Sequence, residues 1–539
     1  MAIDATKAHK GVQAHIAFGG KLPKRAEYLP FLFPTILFFA SLYIPPMIFI
    51  DSSAGFLALR SMLEGGAFNS VTAPDPANIA NDVKIFLTWW SPGQYLVPGG
   101  FIWLGTSYGL AVSLTALIAT ITGVLGWIQV ARSLAVSSFV LFIFVLGLNT
   151  FAYVTQSFRL YHGGELLLFA AAPWSLYAMR WAANKQPILC FTISLLAAAL
   201  LFFAKLTGLI VFATNVMAIS LGALASQRRL SSSTIAMWVA SAIAALCFWM
   251  FWVARGPVPG GVSTFSFNWL PIWFSIAGAA FSGISGLEFV QWLLFRWART
   301  ISDFSIGIEP NYVLGPLGML LIVWVWFRLR YTRYRDMAVL LLTIILLYAI
   351  VIAALMYVSR DTIPFEERYF RYAGILFFLL LLTAIDQWRV RFAKGLACLV
   401  VIVLGLYGLK NYVTGAYAQM RAGYYDPVTG ISQEMVSPAI LESLRSEITR
   451  YNFERPIVLI PSPVAGISLP RFRILHPFGA WAGYTERTKW VGRADKLFVV
   501  LPENTLLNGK AEAILRAFTD YEFDNWKHTK FDGMIIYTQ

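Results

Sequence analysis

Four stretches of this sequence gather side chains that could do chemistry. Asp51 follows the apolar run PTILFFASLYIPPMIFI, where a carboxylate would stand at a membrane surface beside whatever is bound there. The segment FRLYHGGELLLF carries Arg159, Tyr161, His162 and Glu165. A histidine and a carboxylate three residues apart could share one side of a divalent metal. Two ligands are not a site, however, and the zinc and calcium signatures are absent. Lys205 lies in AKLTG, between two short apolar runs with no polar loop. An ion at that depth points to function, although a lysine can also snorkel to the interface. Last comes SRDTIPFEERYFRYAGI, with Arg360, Arg368, Arg371, Tyr369 and Tyr372. Arginine suits phosphate because its planar fork donates two parallel hydrogen bonds and keeps its charge. Glu366 and Glu367 would pair with these arginines, and exposed pairs contribute little. Arg159 is a further candidate for binding the same anion.

The elements that must position these residues are membrane helices. Of 539 residues, 58% are hydrophobic and 13% charged, with a mean hydropathy of +0.64. A soluble chain carries about a quarter charged residues, so the composition is that of a polytopic α-helical membrane protein. Stretches of the required length, about twenty residues, occur at 29–50, 107–130, 134–155, 164–183, 187–204, 207–226, 232–253, 311–329, 337–358, 372–387 and 395–411. That makes about eleven transmembrane helices. The basic residues Lys7 to Arg25, Arg132, Arg180, Lys185, Arg228, Arg229, Arg328 to Arg335 and Arg389 to Lys394 fall on one side. Most acids of this half, Asp51 and Glu165 among them, fall on the other. The positive-inside rule then puts residues 1–28 in the cytoplasm and Asp51 outside. The net charge of +14 is scattered between apolar runs, which fits topology signals and contact with anionic lipid and not a nucleic-acid partner. Cys190, Cys247 and Cys398 sit inside apolar runs without metal-ligand spacing.

Two outer loops are long. Residues 51–106 carry Phe56, Leu57, Leu59, Met62 and Leu63 at helical spacing, then the aromatic TWWSPGQYLVPGG. Amphipathic helices on the outer membrane face are expected there. Residues 254–310 include FNWLPIWFSIAGAAFSGISG, expected as interfacial helices because a twelfth crossing would reverse the sidedness of Arg328 to Arg335. From 412 to 539 the composition becomes that of a soluble protein. AILESLRSEITRYN and GKAEAILRAFTDY are expected as helices, and RPIVLIP, KLFVVLP and GMIIYTQ as strands. Together they form a small extracytoplasmic α/β domain without a nucleotide loop or nucleophile elbow, expected to act as a lid or an acceptor-docking module.

The whole layout resembles the membrane-embedded glycosyltransferases of the GT-C superfamily. The likeness is carried by Asp51 after the first apolar run, the amphipathic outer loop behind it, and WLGTSYGLAVSL opening the second span. HGGELLLF, the break at AKLTG and ERYFRY complete it, across about residues 29–411. Many members carry a second acid within two residues of the first, where Ser52 and Ser53 stand here. The resemblance implies inverting transfer of a sugar from a polyprenyl-phosphate donor to a lipid, glycan or protein acceptor of the cell envelope. The enzyme would sit in the inner or plasma membrane. It implies Asp51 as the base that takes the acceptor proton. Arg368, Arg371 and Lys205 would stabilise the leaving phosphate, with Tyr369, Tyr372 and Arg159 as further substrate contacts. Glu165 is left as a second catalytic carboxylate, a metal ligand with His162, or a helix-start residue favoured by the dipole. The rivals are a transporter or lipid flippase, favoured by the short paired spans and Lys205, and a lipid-linked oligosaccharide ligase or polymerase.

Overall fold

The computed structural model describes residues 26–227, 231–256, 268–287, 289–290, 310–358, 366–388, 390–475, 489–507, 509–531 and 533–539. Lys7, Lys10, Lys21, Lys24, Arg25, Arg228, Arg229, Glu288, Asp303, Glu309, Arg360, Asp361 and Arg389 lie outside the described residues.

Helix α1 (Leu32–Tyr43) stops well short of Asp51. A residue before proline is pushed out of the helical region, and Ile44, before Pro45, has φ −118° and ψ 85°. Neither Pro45 nor Pro46 has an N–H to continue the ladder. Residues 29–50 are therefore not one helix. Asp51 instead lies in the first turn of α2 (Ile50–Leu63), just after strand β1 (Met47–Ile48). The chain continues with a hairpin, β2 (Ser70–Asp75) and β3 (Asn78–Phe86), and then α3 (Gly93–Trp103). The hairpin stands between the two helices, α2 with Phe56 to Leu63 and α3 with much of TWWSPGQYLVPGG. Its turn is set locally, since the Asp75 carboxylate accepts from the Ala77 N–H at 2.9 Å, an Asx turn.

The bundle follows: α4 (Tyr108–Ser133), α5 (Ser138–Thr150), α6 (Ala152–Thr155), β4 (Leu160–Tyr161) and α7 (Gly164–Ala182). Next come α8 (Pro187–Ala204), α9 (Gly208–Gln227), α10 (Ser232–Phe251) and α11 (Leu270–Phe281). It closes with α12 (Asn311–Leu329), α13 (Arg335–Val358), α14 (Arg371–Asp386) and α15 (Arg391–Ala422). Among the described residues, eight helices are long and apolar enough to cross a membrane: α4, α8, α9, α10, α12, α13, α14 taken with the turn from Glu367 that leads into it, and α15. The pair α5–α6, bent by 43°, would be a ninth. Leu196, Trp249, Phe251, Leu320, Ile350 and Leu406 are exposed on these helices, the pattern of a surface solvated by lipid. The protein is an integral membrane protein. Of the other spans expected from the sequence, α1 has only 12 residues, and α7, with Glu165 and Arg180, is less apolar than the eight. Helix α11, also 12 residues, packs against α12, α13 and α14.

The tail holds β5 (Tyr425–Asp426), β6 (Ile431–Ser432), α16 (Pro438–Tyr451), β7 (Ile457–Leu459) and α17 (Pro463–Ile467). After these come β8 (Arg473–Ile474), β9 (Leu497–Pro502), α18 (Asn504–Leu507), α19 (Lys510–Arg516), β10 (Lys527–Phe531) and β11 (Met534–Thr538). One five-stranded sheet has the order β10-β11-β9-β7-β8. A second, β4-β1-β6-β5, is built from three distant parts of the chain. In it β1 runs parallel to both β4 and β6. Phe56, Leu57 and Leu59 of α2 share a core with Ile440, Leu441, Val464, Ile467 and Phe472 of the tail. Each such side chain contributes about 1.5–3 kcal/mol on full burial, so α2 belongs to the tail's core as much as to the segment that follows α1.

Candidate active site

Two strands of two residues each set the site. Met47 pairs with Leu160 and Ile48 with Tyr161 in parallel register, so the segments leaving β1 and β4 emerge on the same side. Asp51 opens the helix after β1, and Glu165 opens the helix after β4. The glycines of HGGE permit the approach. Gly163 has φ +63°, a left-handed value that disfavours a side chain, and a Cβ there would stand 2.9 Å from Ser52 Oγ. A Cβ on Gly164 would stand 2.8 Å from the Ala204 carbonyl, beside Lys205. Lys205 itself is extended, in the break between α8 and α9. Arg368 sits in a single 3₁₀ turn, Glu367–Phe370, leading into α14. That turn is fixed from behind, since Tyr348 donates its hydroxyl to the Tyr369 carbonyl at 2.7 Å.

Arg368 joins the two carboxylates. Its Nη1 and Nη2 donate to Asp51 Oδ2 at 3.3 and 3.4 Å, and its Nε lies 3.9 Å from Glu165 Oε1. Glu366 pairs with the same guanidinium. Behind them Lys205 donates to Glu165, whose side chain is only 7% exposed. Tyr369 lies between the cations, its ring centre 4.9 Å from Lys205 Nζ and 5.4 Å from Arg368 Cζ, within cation–π range. Asp51 differs from Glu165 in being reachable, with 40% of its side chain exposed. Arg371 differs from Arg368. Its guanidinium lies over the Tyr153 ring at 5.2 Å, and no ion pair holds it among the described residues.

A cavity of about 410 Å³ opens beside these groups, lined by Phe49, His162, Phe274, Glu366, Arg368 and Arg371 among others. A much narrower cleft runs from the same two arginines between α4, α7, α13 and α14, walled by Trp127, Phe169, Tyr348 and Tyr372. His162 packs against Phe49, with ring centres 4.6 Å apart and the planes tilted by 37°. Burial first, and then the charge of Arg371, hold its imidazole down to about 4.

Of the residues singled out in the sequence, Asp51, Glu165, Lys205, Arg368, Arg371 and Tyr369 come together here. Tyr372 reaches the cleft but donates its hydroxyl to Asn215 Oδ1 at 2.6 Å. Arg159 lies apart and packs on α15, where a Cβ at Gly415 would meet its Nε at 2.6 Å. His162 and Glu165 do not fit a divalent ion in this arrangement. Glu165 is already engaged by Lys205, with Arg368 and Arg371 close enough to act on it, and three cations oppose a fourth. Among the described residues no three His, Cys, Asp or Glu side chains form a metal-sized group. Phe49, Tyr153 and Tyr348 were not legible as site residues, since each is one aromatic among many. Glu366 could be read from its place in the Glu-Glu-Arg run.

Comparison with solved structures supports the fold expected from the sequence. No family model matches the chain, and no curated protein sequence does. The chain is similar to the apo structure of ArnT from Cupriavidus metallidurans, with a TM-score of 0.51 and 11% identity over 95% of this chain and 97% of that one. It is also similar to the oligosaccharyltransferase AglB from Archaeoglobus fulgidus in complex with an inhibitory peptide and a dolichol-phosphate. There the TM-score is 0.51 and the identity 13%, over 96% of this chain and 74% of the other. The apo form of an Archaeoglobus fulgidus oligosaccharyltransferase gives a TM-score of 0.51 and 12% identity, over 90% of this chain and 71% of that one.

Proposed function

We propose that this protein is an inverting membrane glycosyltransferase that moves a sugar from a polyprenyl-phosphate donor to an acceptor hydroxyl of the cell envelope. The observation that carries the proposal is the pairing of a reachable carboxylate, Asp51, with Arg368 at a mouth where Arg371 lacks an acid partner among the described residues. The AglB structure was solved with a dolichol-phosphate, which supports a lipid-phosphate ligand for the same fold here.

An acceptor hydroxyl is a poor nucleophile until a placed base takes its proton, and that is the role of Asp51. The oxygen then bonds to the anomeric carbon from the face opposite the phosphate, and the carbon–oxygen bond to the phosphate breaks. The departing polyprenyl phosphate carries away the bonding pair and gains negative charge. It needs fixed cations more than a proton, which suits Arg371 first, then Arg368 and Lys205. Glu165 holds Lys205 in place and keeps the site from excess positive charge. No step requires a metal.

The orientation belongs to the same proposal. The eight long helices, the bent pair α5–α6, α1 and α7 make eleven crossings, with the amino-terminal segment in the cytoplasm and the site and tail outside. A reporter active only outside the cytoplasm, fused after Gln539, tests this placement.

The decisive experiment uses purified wild type and Asp51→Asn in detergent, with labelled polyprenyl-phosphate sugars and an envelope-lipid acceptor fraction. Transfer by wild type that is lost in the folded variant supports the base assignment. Transfer that survives the substitution removes Asp51 from that role and favours an oligosaccharide ligase relying on the arginines. A wild type that transfers nothing from any donor, without a gradient, favours a transporter.

A further inference from the structure

The helix that carries Asp51 is gripped at both ends by the tail. At its far end, Arg60 is 8% exposed and belongs to the last turn of α2. Its Nη1 donates to the carbonyls of Gly466 and Leu469 at 2.9 and 3.0 Å, and its Nη2 to that of Phe472 at 2.9 Å. Three carbonyls from the end of α17 and the loop after it thus converge on one planar fork, whose two arms hold them at fixed angles that the point charge of an ammonium does not impose. The loop is braced from its other side. Arg445 donates to the Ser468 carbonyl at 3.0 Å from Nε and 2.8 Å from Nη2. The same Nη2 reaches both oxygens of Asp426 at 2.9 Å.

Asp426 lies in β5, which pairs with β6. From β6, the Ser432 N–H donates to the Pro46 carbonyl at 3.0 Å, and the Ser432 hydroxyl donates to the Pro45 carbonyl at 3.0 Å. Those two prolines lead directly into β1 and Asp51. A closed circuit results. It runs from Asp51 along α2 to Arg60, across loop 466–472 to Arg445 and Asp426, through β5 and β6, and back to the start of β1.

We propose that Arg60, through loop 466–472, is a positioning residue for Asp51, so that the tail is part of the catalytic centre and not a lid laid over it. The proposal rests on Asp51 acting as the base. The paired segment before α2 fixes where the helix begins, and the contacts of Arg60 fix where its far end lies, so the two together set the angle of α2. A base displaced by about 1 Å loses rate on the order of 10²-fold without weakening binding of the donor.

The test compares Arg60→Lys, Arg60→Met and Arg445→Lys with wild type and Asp51→Asn in the full chain. Each is measured per folded molecule after size exclusion, with kcat and donor KM separated. Arg60→Lys is expected to lower kcat about tenfold, and Arg60→Met about a hundredfold, with donor KM within about twofold. Arg445→Lys, which touches the loop and Asp426 and not α2 itself, should lower kcat in the same direction by less, and it keeps the test open if the Arg60 variants do not fold. Folded variants that turn over like wild type, or that lose only KM, overturn the positioning role. Asp51→Asn separates the two failures. If it is inactive while the Arg60 and Arg445 variants are normal, this inference alone falls. If it is active, the base assignment falls and takes this inference with it.

Discussion

Removing the Glu165 carboxylate should cost the fold about 3 kcal/mol, the low end of the range for breaking one side of a buried ion pair. Glu165→Gln leaves the Lys205 ammonium without its acid in a site where the lysine side chain is 18% exposed. The low end applies because Lys205 keeps that access to solvent and the face of Tyr369 at 4.9 Å. Lys205→Met should cost less, because Arg368 remains 3.9 Å from Glu165 and can take over as counter-ion. The double variant removes both charges and leaves neither stranded. It should therefore be more stable than the sum of the singles predicts, by about 2 kcal/mol, as expected for residues in direct contact. Equilibrium unfolding in detergent with a rising fraction of dodecyl sulfate, followed by tryptophan fluorescence, gives the four free energies of the cycle. Additive singles, or a Glu165→Gln protein as stable as wild type, would refute the counter-ion role. If Glu165 instead held a metal, a chelator would destabilise wild type and leave Glu165→Gln unchanged.

Arg371→Met should lower kcat/KM for the donor by about 10–100-fold, since a hydrogen bond to a charged group contributes about 1.5–3 kcal/mol. Its unfolding free energy should move little, because no ion pair among the described residues is broken, and steady-state kinetics beside an unfolding curve check both halves. His162 titrates at about 4 in the fold against an ordinary 6.5. The unfolded chain therefore binds a proton that the fold refuses between those values, and stability falls as pH drops from 6.5 towards 4. The full difference is about 3 kcal/mol, so the melting temperature of His162→Gln should hold up better than that of wild type between pH 7 and 4.5. A Cβ on Gly374 would stand 2.2 Å from the Gly283 backbone nitrogen. Gly374→Ala should thus force apart α14 and the turn after α11, lowering the melting temperature and the yield of folded protein.

Membrane character was legible in the sequence because it is a local property. A run such as LLLTIILLYAIVIAALMYV in α13 needs only its own residues to be recognised. Helix ends marked by proline were legible in principle, and Pro45-Pro46 shows how overall hydropathy hides them. Asp51, Glu165, Lys205, Arg368 and Arg371 stood out because ions are costly near an apolar phase and a purpose is needed to keep them there. Which of them would touch could not be read. Arg368 is 317 positions from Asp51, and Arg60 donates to a carbonyl 406 positions away. The sheet that aligns the two carboxylates uses pairs such as Met47 with Leu160, and Met47 with Ser432. Strands of two residues carry no periodicity, so no pattern announces them. The sequence by itself determined the kind of solvent the chain must fold in and the ions it must shelter. Only the tertiary structure decided which acid meets which cation, and that the tail holds the helix of Asp51, because those contacts depend on where distant segments end in space.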